Sequence, residues 1–276
     1  MRSGLDKYSN LTQRIIVAIL GIIIIIGAII YSQWTYILVF SFITLISILE
    51  FYKLTGLDGM LPLKYWGAFS ALLLVIISFL SETGFINSKY YFLILPIATC
   101  TFFIKLYSKR DAKPFTNIAF TFLGILYIGV PFALLNIIAF HFGEYSYQIV
   151  LGILLLIWAS DTGAYFAGSR FGRTKLFLRV SPKKTWEGLI GGAVLTFIIS
   201  LALSHFFEIL PVWKWLVIGG IMVIGGTYGD LVESLFKRSI EIKDSGRILP
   251  GHGGFLDRFD GLLLAIPFIV AFLKLS

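Results

Sequence analysis

Long apolar runs follow one another along almost the entire chain, and short polar segments separate them. Each run holds about 15 to 23 residues, and a bilayer core of about 30 Å requires about 20 helical residues. The pattern therefore predicts membrane-spanning helices and leaves no stretch long enough for a soluble domain. We place nine spans at residues 15–31, 34–52, 65–80, 90–106, 117–140, 149–168, 187–207, 212–228 and 255–273.

The segments between these runs differ in charge, and the difference predicts an orientation. Short loops rich in Lys and Arg remain in the cytoplasm. With the N-terminus inside, all of the 23 basic residues fall on the cytoplasmic side except Lys89, Lys214 and Lys274. A shift by one span would reverse this bias. We therefore predict an all-α polytopic integral membrane protein with about nine transmembrane helices, a cytoplasmic N-terminus and an outer C-terminus.

The composition agrees with this class and limits the kinds of binding partner that we expect. The chain is 58% hydrophobic and 14% charged, whereas an ordinary soluble domain has about 25% charged residues. The net charge of +8 first reflects topology, and it would also attract anionic lipid headgroups or nucleotides. No nucleic-acid-binding motif is present, so we expect no nucleic-acid partner. The single cysteine, Cys100, excludes an intrachain disulfide and lies inside an apolar run.

Polar content divides the chain into two regions. Residues 1–110 form an N-terminal four-helix membrane region with few polar residues beyond the span ends. There, Glu50 and Lys53 have the spacing of a pair on one helix face. Residues 111–276 form a five-helix membrane region, to which we assign catalysis, with loops 169–187 and 229–260 on the cytoplasmic face.

The sixth span carries a carboxylate in its cytoplasmic half. Asp161 lies in the segment SDTGAYFAG, within an otherwise apolar helix. An unpaired charge at such depth costs about 2.5 kcal/mol or more. Small residues around it suit close helix packing, which explains the glycines but not the aspartate. We expect Asp161 to face a polar cavity.

The loop after this span holds six basic residues before its first acid, Glu187. Its segment SPKKTWEG predicts a turn at Ser181–Pro182, a basic pair at Lys183 and Lys184, and Thr185 as the N-cap of the next helix. A helix N-terminus beside lysines favours anions. The alternative interpretation of the basic residues is a loop that only fixes topology.

The densest polar segment follows the eighth span. If that helix continues past Gly229, then Asp230, Ser234 and Lys237 lie on one face. Only about 15 residues follow Asp260, roughly 22 Å of helix, so the last helix must begin near Phe255.

Asp257 and Asp260 then lie in the first turns of this last helix. Three aspartates from two helix ends, in a basic setting, suit a divalent cation such as Mg²⁺ together with a polyphosphate. Lys and Arg side chains would neutralise the remaining phosphate oxygens. The alternative is that Asp257 pairs with Arg258 or Lys237 as a solvated interfacial charge.

The segment SLFKRSIEIKDSGRILPGHGGFLDRFD resembles the signature of the phosphatidate cytidylyltransferases, also called CDP-diacylglycerol synthases. The resemblance extends to residues 160–168 and 181–188, whereas the first four spans resemble the family by hydropathy alone. The signature residues are matched by Ser234, Lys237, Arg238, Lys243, Asp244, Gly246, Leu249, Pro250, His252, Gly253, Gly254, Asp257, Arg258 and Asp260.

This resemblance implies a function and residue roles. The family's all-helical membrane enzymes transfer CMP from CTP to phosphatidic acid, use Mg²⁺, are aided by K⁺, and form homodimers. It implies a multi-pass protein of the bacterial cytoplasmic membrane with its active site on the cytoplasmic side. The implied catalytic and metal-binding residues are Asp230, Lys237, Asp257 and Asp260, with Asp161 and Asp244 near the metal. The implied substrate-binding residues are Lys183, Lys184, Ser234, Arg238, Lys243, His252, Gly253, Gly254 and Arg258.

Two other functions remain open from the sequence. A cytidylyltransferase acting on another lipid phosphate would need the same polar groups. A transporter would also place charges at interrupted helices, but it would predict an internal repeat of spans. No such repeat is evident, and the polar residues concentrate on one side, which favours an enzyme at the membrane surface.

Overall fold

The computed structural model describes residues 10–109, 111–241 and 254–276, with side chains from residue 18 onward in these ranges. The described part is almost entirely helical, which confirms the all-α class. Several residues of the signature segment lie outside the described residues: Lys243, Asp244, Gly246, Leu249, Pro250, His252 and Gly253.

Ten α-helices follow one another in the described ranges. A 3₁₀ segment, Ser88–Leu93, leads directly into α4, and a π-helical segment, Ile125–Gly129, joins α5 to α6, so these helices make nine continuous segments. The helices are α1 (Asn10–Tyr31), α2 (Gln33–Leu57), α3 (Lys64–Glu82), α4 (Ile94–Leu106), α5 (Pro114–Gly124), α6 (Val130–Ala139), α7 (Tyr147–Phe171), α8 (Trp186–Phe206), α9 (Val212–Ser239) and α10 (Leu256–Leu275).

Seven of these segments are long and apolar enough to cross a membrane: α2, α3, Ser88–Leu106, Pro114–Ala139, α7, α8 and α9. The chain is therefore a multi-pass membrane protein. The count of nine spans and the orientation of the N-terminus stay predictions.

Local sequence explains several helix ends. Thr185 has extended backbone angles, and its hydroxyl accepts the Gly188 N–H at 3.1 Å, so the predicted N-cap of α8 is confirmed. The helix of the eighth predicted span does continue past Gly229, as far as Ser239. The last helix begins at Leu256, one residue after the predicted start.

The basic loop between α7 and α8 forms a small antiparallel hairpin, β1 (Lys175–Phe177) and β2 (Ser181–Thr185). The turn predicted at Ser181–Pro182 is wrong, because these residues begin β2 and the turn occupies 178–180. The Glu187 carboxylate accepts the Arg173 and Thr174 N–H groups at 3.0–3.2 Å and closes the base of the hairpin.

Buried polar contacts connect the end of α4 to the start of α5. Lys105 forms an ion pair with Asp111 at 2.5 Å, and the Asn117 amide donates to the same carboxylate at 2.6 Å. Burial alone would raise the pKa of Asp111, but the hydrogen bonds from Lys105, from the Lys113 N–H and from Asn117 outweigh it and lower that pKa. The loop after α4 is thereby held against the start of α5.

Candidate active site

Three carboxylates from α9 and α10 meet where the cytoplasmic ends of these helices are predicted to lie. Oxygen atoms of Asp230, Glu233 and Asp260 all lie within 4.8 Å of one another. Asp230 and Glu233 are three residues apart and therefore share a face of α9. We call these three residues the carboxylate group.

The close crossing of the two helices brings the carboxylate group together. At Gly229, a side-chain carbon would lie 2.5 Å from the Asp260 carbonyl oxygen and 2.5 Å from Gly261 Cα, far inside van der Waals contact. Only glycine lets the backbones approach this closely, so Asp230 and Asp260 adjoin directly across the contact.

Lys237 links the carboxylate group to Asp257. Its ammonium nitrogen lies 2.8 Å from Asp257 Oδ1 and 3.3 Å from Glu233 Oε2. The other oxygen of Asp257 accepts the Gly254 N–H at 2.8 Å. The Lys237 and Asp257 side chains are only about a tenth exposed, so the pair is buried rather than solvated. Asp257 thus lies beside the carboxylate group, with Lys237 between it and Glu233.

Lys184 connects the hairpin to the same group. Its ammonium lies 2.5 Å from Asp230 Oδ2 and donates to the Thr227 carbonyl at 3.1 Å. Residue 184 is at the end of β2, immediately before the Thr185 N-cap, so the hairpin and the start of α8 fix its position. An ammonium is therefore held at the open edge of the carboxylate group.

A cavity of about 490 Å³ adjoins this edge, between α7, α8, the hairpin and α9. The Asp230 side chain is 42% exposed and joins the cavity to the buried Glu233. The cavity lining combines acidic, basic, small and larger apolar residues: Ser160, Asp161, Ala164, Tyr165, Gly168, Ser169, Leu176, Lys183, Lys184, Thr185, Gly188, Leu189, Thr227 and Asp230. Such a lining can receive a phosphate-bearing molecule, since it presents both ammonium groups and carboxylates.

Comparison with known proteins identifies the family. The model of the cytidylyltransferase family matches residues 12–276, nearly the whole chain. The chain belongs to this family. It is 33% identical over 261 residues to a protein of Staphylococcus haemolyticus named phosphatidate cytidylyltransferase, covering 93% of this chain and 96% of that protein. A protein of Staphylococcus saprophyticus with the same name is 32% identical over 267 residues, covering 95% of this chain and 97% of the relative.

The remaining sequence-predicted residues of this cytidylyltransferase occupy different places. Asp161 lines the cavity, and the Ser234 hydroxyl lies 3.4 Å from Asp230 Oδ1. Arg238 and Arg258 are exposed, near the end of α9 and the start of α10 respectively. Gly254 is buried directly before α10. The predicted residues Lys243, His252 and Gly253 lie outside the described residues.

Two acidic residues in or beside the candidate site were not among the predicted site residues. Glu233 is 1% exposed and is a member of the carboxylate group. Its spacing of three from Asp230 was a signal that could have found it. Glu50, in α2, is 3% exposed, and its Oε2 accepts the Leu256 N–H at 2.9 Å. No local pattern connects positions that are 206 residues apart.

Proposed function

We propose that this member of the cytidylyltransferase family transfers CMP from CTP to phosphatidic acid, which gives CDP-diacylglycerol and pyrophosphate. The observation that carries the proposal is the ion pair between Lys184 and Asp230, which joins the cavity to the carboxylate group. The names of the two full-length relatives support the choice of lipid substrate.

The reaction needs positioning and charge neutralisation more than a strong base. A phosphate oxygen of phosphatidic acid attacks the α-phosphorus of CTP, and the bond to the bridging oxygen of the β-phosphate breaks. Pyrophosphate leaves with that electron pair. The attacking phosphomonoester has its second pKa near 6, so it is mostly dianionic at neutral pH and does not have to lose a proton. Oriented reactants and fixed positive charge can then supply most of the rate enhancement.

The carboxylate group fits Mg²⁺. Its donors are hard oxygen atoms, and Mg²⁺ sites typically use one or two carboxylates with substrate phosphates and water. Asp230, Glu233 and Asp260 would hold the ion, with Asp257 linked to Glu233 through Lys237 and Asp161 in the lining of the adjoining cavity. When bound, the metal would neutralise charge on the phosphates of CTP. K⁺ as a further activator remains a proposal from the family resemblance.

The basic residues have separate tasks in this proposal. Lys183 and Lys184 line the cavity, where they would bind phosphate oxygens. Lys237 lies against Glu233 and Asp257, so its first task is to hold these two carboxylates in place. Arg238 and Arg258 would attract phosphates from the exposed rim.

The lipid must reach the cavity from the bilayer. An apolar groove of about 600 Å³ lies beside the pair α7–α8, and Ser169 lines both this groove and the cavity. Arg170 lies in the groove as well, so an anionic headgroup would find a cation beside an apolar surface. We place the site on the cytoplasmic side of a bacterial inner membrane, where CTP is available, and we propose a homodimer as in the family.

Label position in CTP tests the reaction directly. Purified protein in a neutral detergent is incubated with Mg²⁺, phosphatidic acid and CTP labelled at either the α- or the γ-phosphorus. We expect the α label in the lipid extract and the γ label in pyrophosphate, with Asp230→Asn as the inactive control. Transfer of the γ label to lipid would contradict the proposal.

A cytidylyltransferase of another lipid phosphate is the remaining alternative, since the site recognises phosphate and not acyl chains. Replacing phosphatidic acid by a polyprenyl phosphate in the same assay distinguishes the two. Higher kcat/KM with that lipid would favour the alternative.

A further inference from the structure

Glu50 connects the N-terminal helices to the site. It lies in the last third of α2, in a region that contributes no residue to the carboxylate group or the cavity lining. Its side chain is 3% exposed, although a buried carboxylate is costly unless it has partners. One of its oxygens accepts the Leu256 N–H at 2.9 Å.

The contact with Glu50 replaces a missing N-cap hydrogen bond at the start of α10. The first N–H groups of a helix have no partner within the helix, and a side chain at the N-cap usually accepts one of them. Phe255 occupies the N-cap of α10 and makes no such bond. Glu50 therefore supplies from another helix the acceptor that the local sequence lacks, and its negative charge suits a helix N-terminus.

Gly254 is confined by the same carboxylate. Any side chain at this position would overlap the Glu50 carboxyl group, which explains a glycine directly before the helix. The Gly254 N–H donates to Asp257 in turn. The segment that enters α10 is therefore held between Glu50 on one side and Asp257 on the other.

Aromatic contacts hold α2 against both helices that bear the carboxylate group. Phe51 stacks on Phe236 of α9, with ring centroids 5.1 Å apart and planes 24° apart. Phe42 meets Phe255 edge-on at 6.3 Å. Glu50 thus lies on a helix that packs against both α9 and the residue before α10.

We propose that Glu50 is a positioning residue for the transfer reaction: it fixes the first turn of α10 and thereby the positions of Asp257 and Asp260 relative to Asp230. The expected changes in kcat and in Mg²⁺ dependence rest on the proposed function. The structural coupling of Glu50 to Gly254 and α10 does not depend on the substrate.

The kinetic test compares Glu50→Leu, Glu50→Gln and the control Tyr52→Phe. Tyr52 lies on the same helix and is buried, and its hydroxyl donates to the Thr121 carbonyl at 2.7 Å, so its substitution removes a buried hydrogen bond away from α10. Removing a residue that orients metal ligands typically costs about 10- to 100-fold in activity or metal affinity. We expect Glu50→Leu to lower kcat and to raise the Mg²⁺ concentration for half-maximal activity in that range.

Glu50→Gln retains an oxygen that can accept the Leu256 N–H, so it should remain close to wild type in both quantities. Tyr52→Phe should lower the melting temperature without changing the Mg²⁺ requirement. A folded Glu50→Leu protein with wild-type kcat and wild-type Mg²⁺ dependence would overturn the proposal.

A second experiment uses melting temperature alone. Gly254→Ala should destabilise the wild-type protein because the new methyl group would displace the buried Glu50 carboxylate from the Leu256 N–H. In a Glu50→Ala background the same change should cost much less, since residues in contact are not additive. Additive losses would refute the coupling, even if Glu50→Leu does not fold. Non-additive losses in a protein without phosphatidate activity would leave the coupling intact and reject the proposed function.

Discussion

Neutralising Glu233 should stabilise the metal-free protein and abolish its response to Mg²⁺. The reason is the spacing of the carboxylate group. Oxygen atoms of the group lie within 4.8 Å of one another, and at that distance two ionised carboxylates would repel each other by about 3.5 kcal/mol at an effective dielectric constant near 20. Carboxyl groups this close avoid part of the repulsion by holding a proton, which itself costs free energy at neutral pH. Glu233 takes part in two of the three pairs, so Glu233→Gln removes its share of this cost in either form.

Neighbouring cations reduce the net effect. Lys237 lies 3.3 Å from Glu233, Lys184 lies 2.5 Å from Asp230, and the 42% exposure of Asp230 adds solvent screening. After this compensation we expect Glu233→Gln to gain about 1–2 kcal/mol without metal. A gain of that size raises the melting temperature of a chain of this length by roughly a few degrees.

The assay is thermal unfolding in a neutral detergent over a series of Mg²⁺ concentrations. Wild-type protein should gain about 2.7 kcal/mol when Mg²⁺ reaches 100 times its dissociation constant. Glu233→Gln should have a higher melting temperature than wild type without Mg²⁺, and this temperature should not change as Mg²⁺ is added. Asp257→Asn should have a lower melting temperature without Mg²⁺, because it breaks the buried ion pair with Lys237. Its melting temperature should still rise with Mg²⁺. The opposite result would be a melting temperature that rises with Mg²⁺ in Glu233→Gln but not in Asp257→Asn. It would refute our choice of Glu233 as a metal ligand and favour Asp257, as predicted from the sequence.

Three further predictions concern orientation, phosphate binding and pH. In a cysteine-free background, Lys183→Cys should react with a membrane-impermeant thiol reagent only after cell lysis, whereas Glu144→Cys should react in intact cells. Labelling of Lys183→Cys in intact cells would refute a cytoplasmic site. Lys184→Gln should lower turnover at both low and high salt, whereas Arg173→Gln should have a small effect that fades at high salt; equal, salt-sensitive effects in initial-rate measurements would remove Lys184 from the site. Because the folded-state pKa of Asp111 is depressed, its stabilising contribution is complete above about pH 4 and is lost as the pH falls below that value, so Asp111→Asn should flatten the acid limb of melting temperature against pH.

Local periodicity was sufficient for some parts of the site. The placement of Asp230, Ser234 and Lys237 on one helix face required only that α9 continue past Gly229, which it does. The Thr185 cap likewise depends on residues within three positions of it. The approximate positions of most helices also followed from hydropathy, because a bilayer core sets a similar length for each apolar run; α9 is the exception, since it continues to Ser239.

Contacts between distant elements could not be predicted in this way. For Glu50, helix spacing suggested a partner three residues away, at Lys53. In the structure Lys53 is exposed, and the Glu50 carboxylate binds the backbone of Leu256. Burial against α10 decides the partner of Glu50, and burial is a property of tertiary packing that no local pattern contains. Glu233 was missed for a different reason. An ion pair with Lys237, four residues later, is a sufficient explanation of its charge in the sequence, and the two residues do pair in the structure.

Close packing and chemistry are not alternative explanations of the glycine-rich segments. At Gly229 the two backbones touch, and the neighbouring residue of each helix, Asp230 or Asp260, belongs to the carboxylate group. A larger residue at Gly229 would separate the helices and with them the two carboxylates. In α7, Gly163 lies against the Gly191 backbone of α8, two positions from Asp161, which lines the cavity. In both places the small residue sets the distance at which the neighbouring acid operates, so packing is the physical cause of the site's geometry.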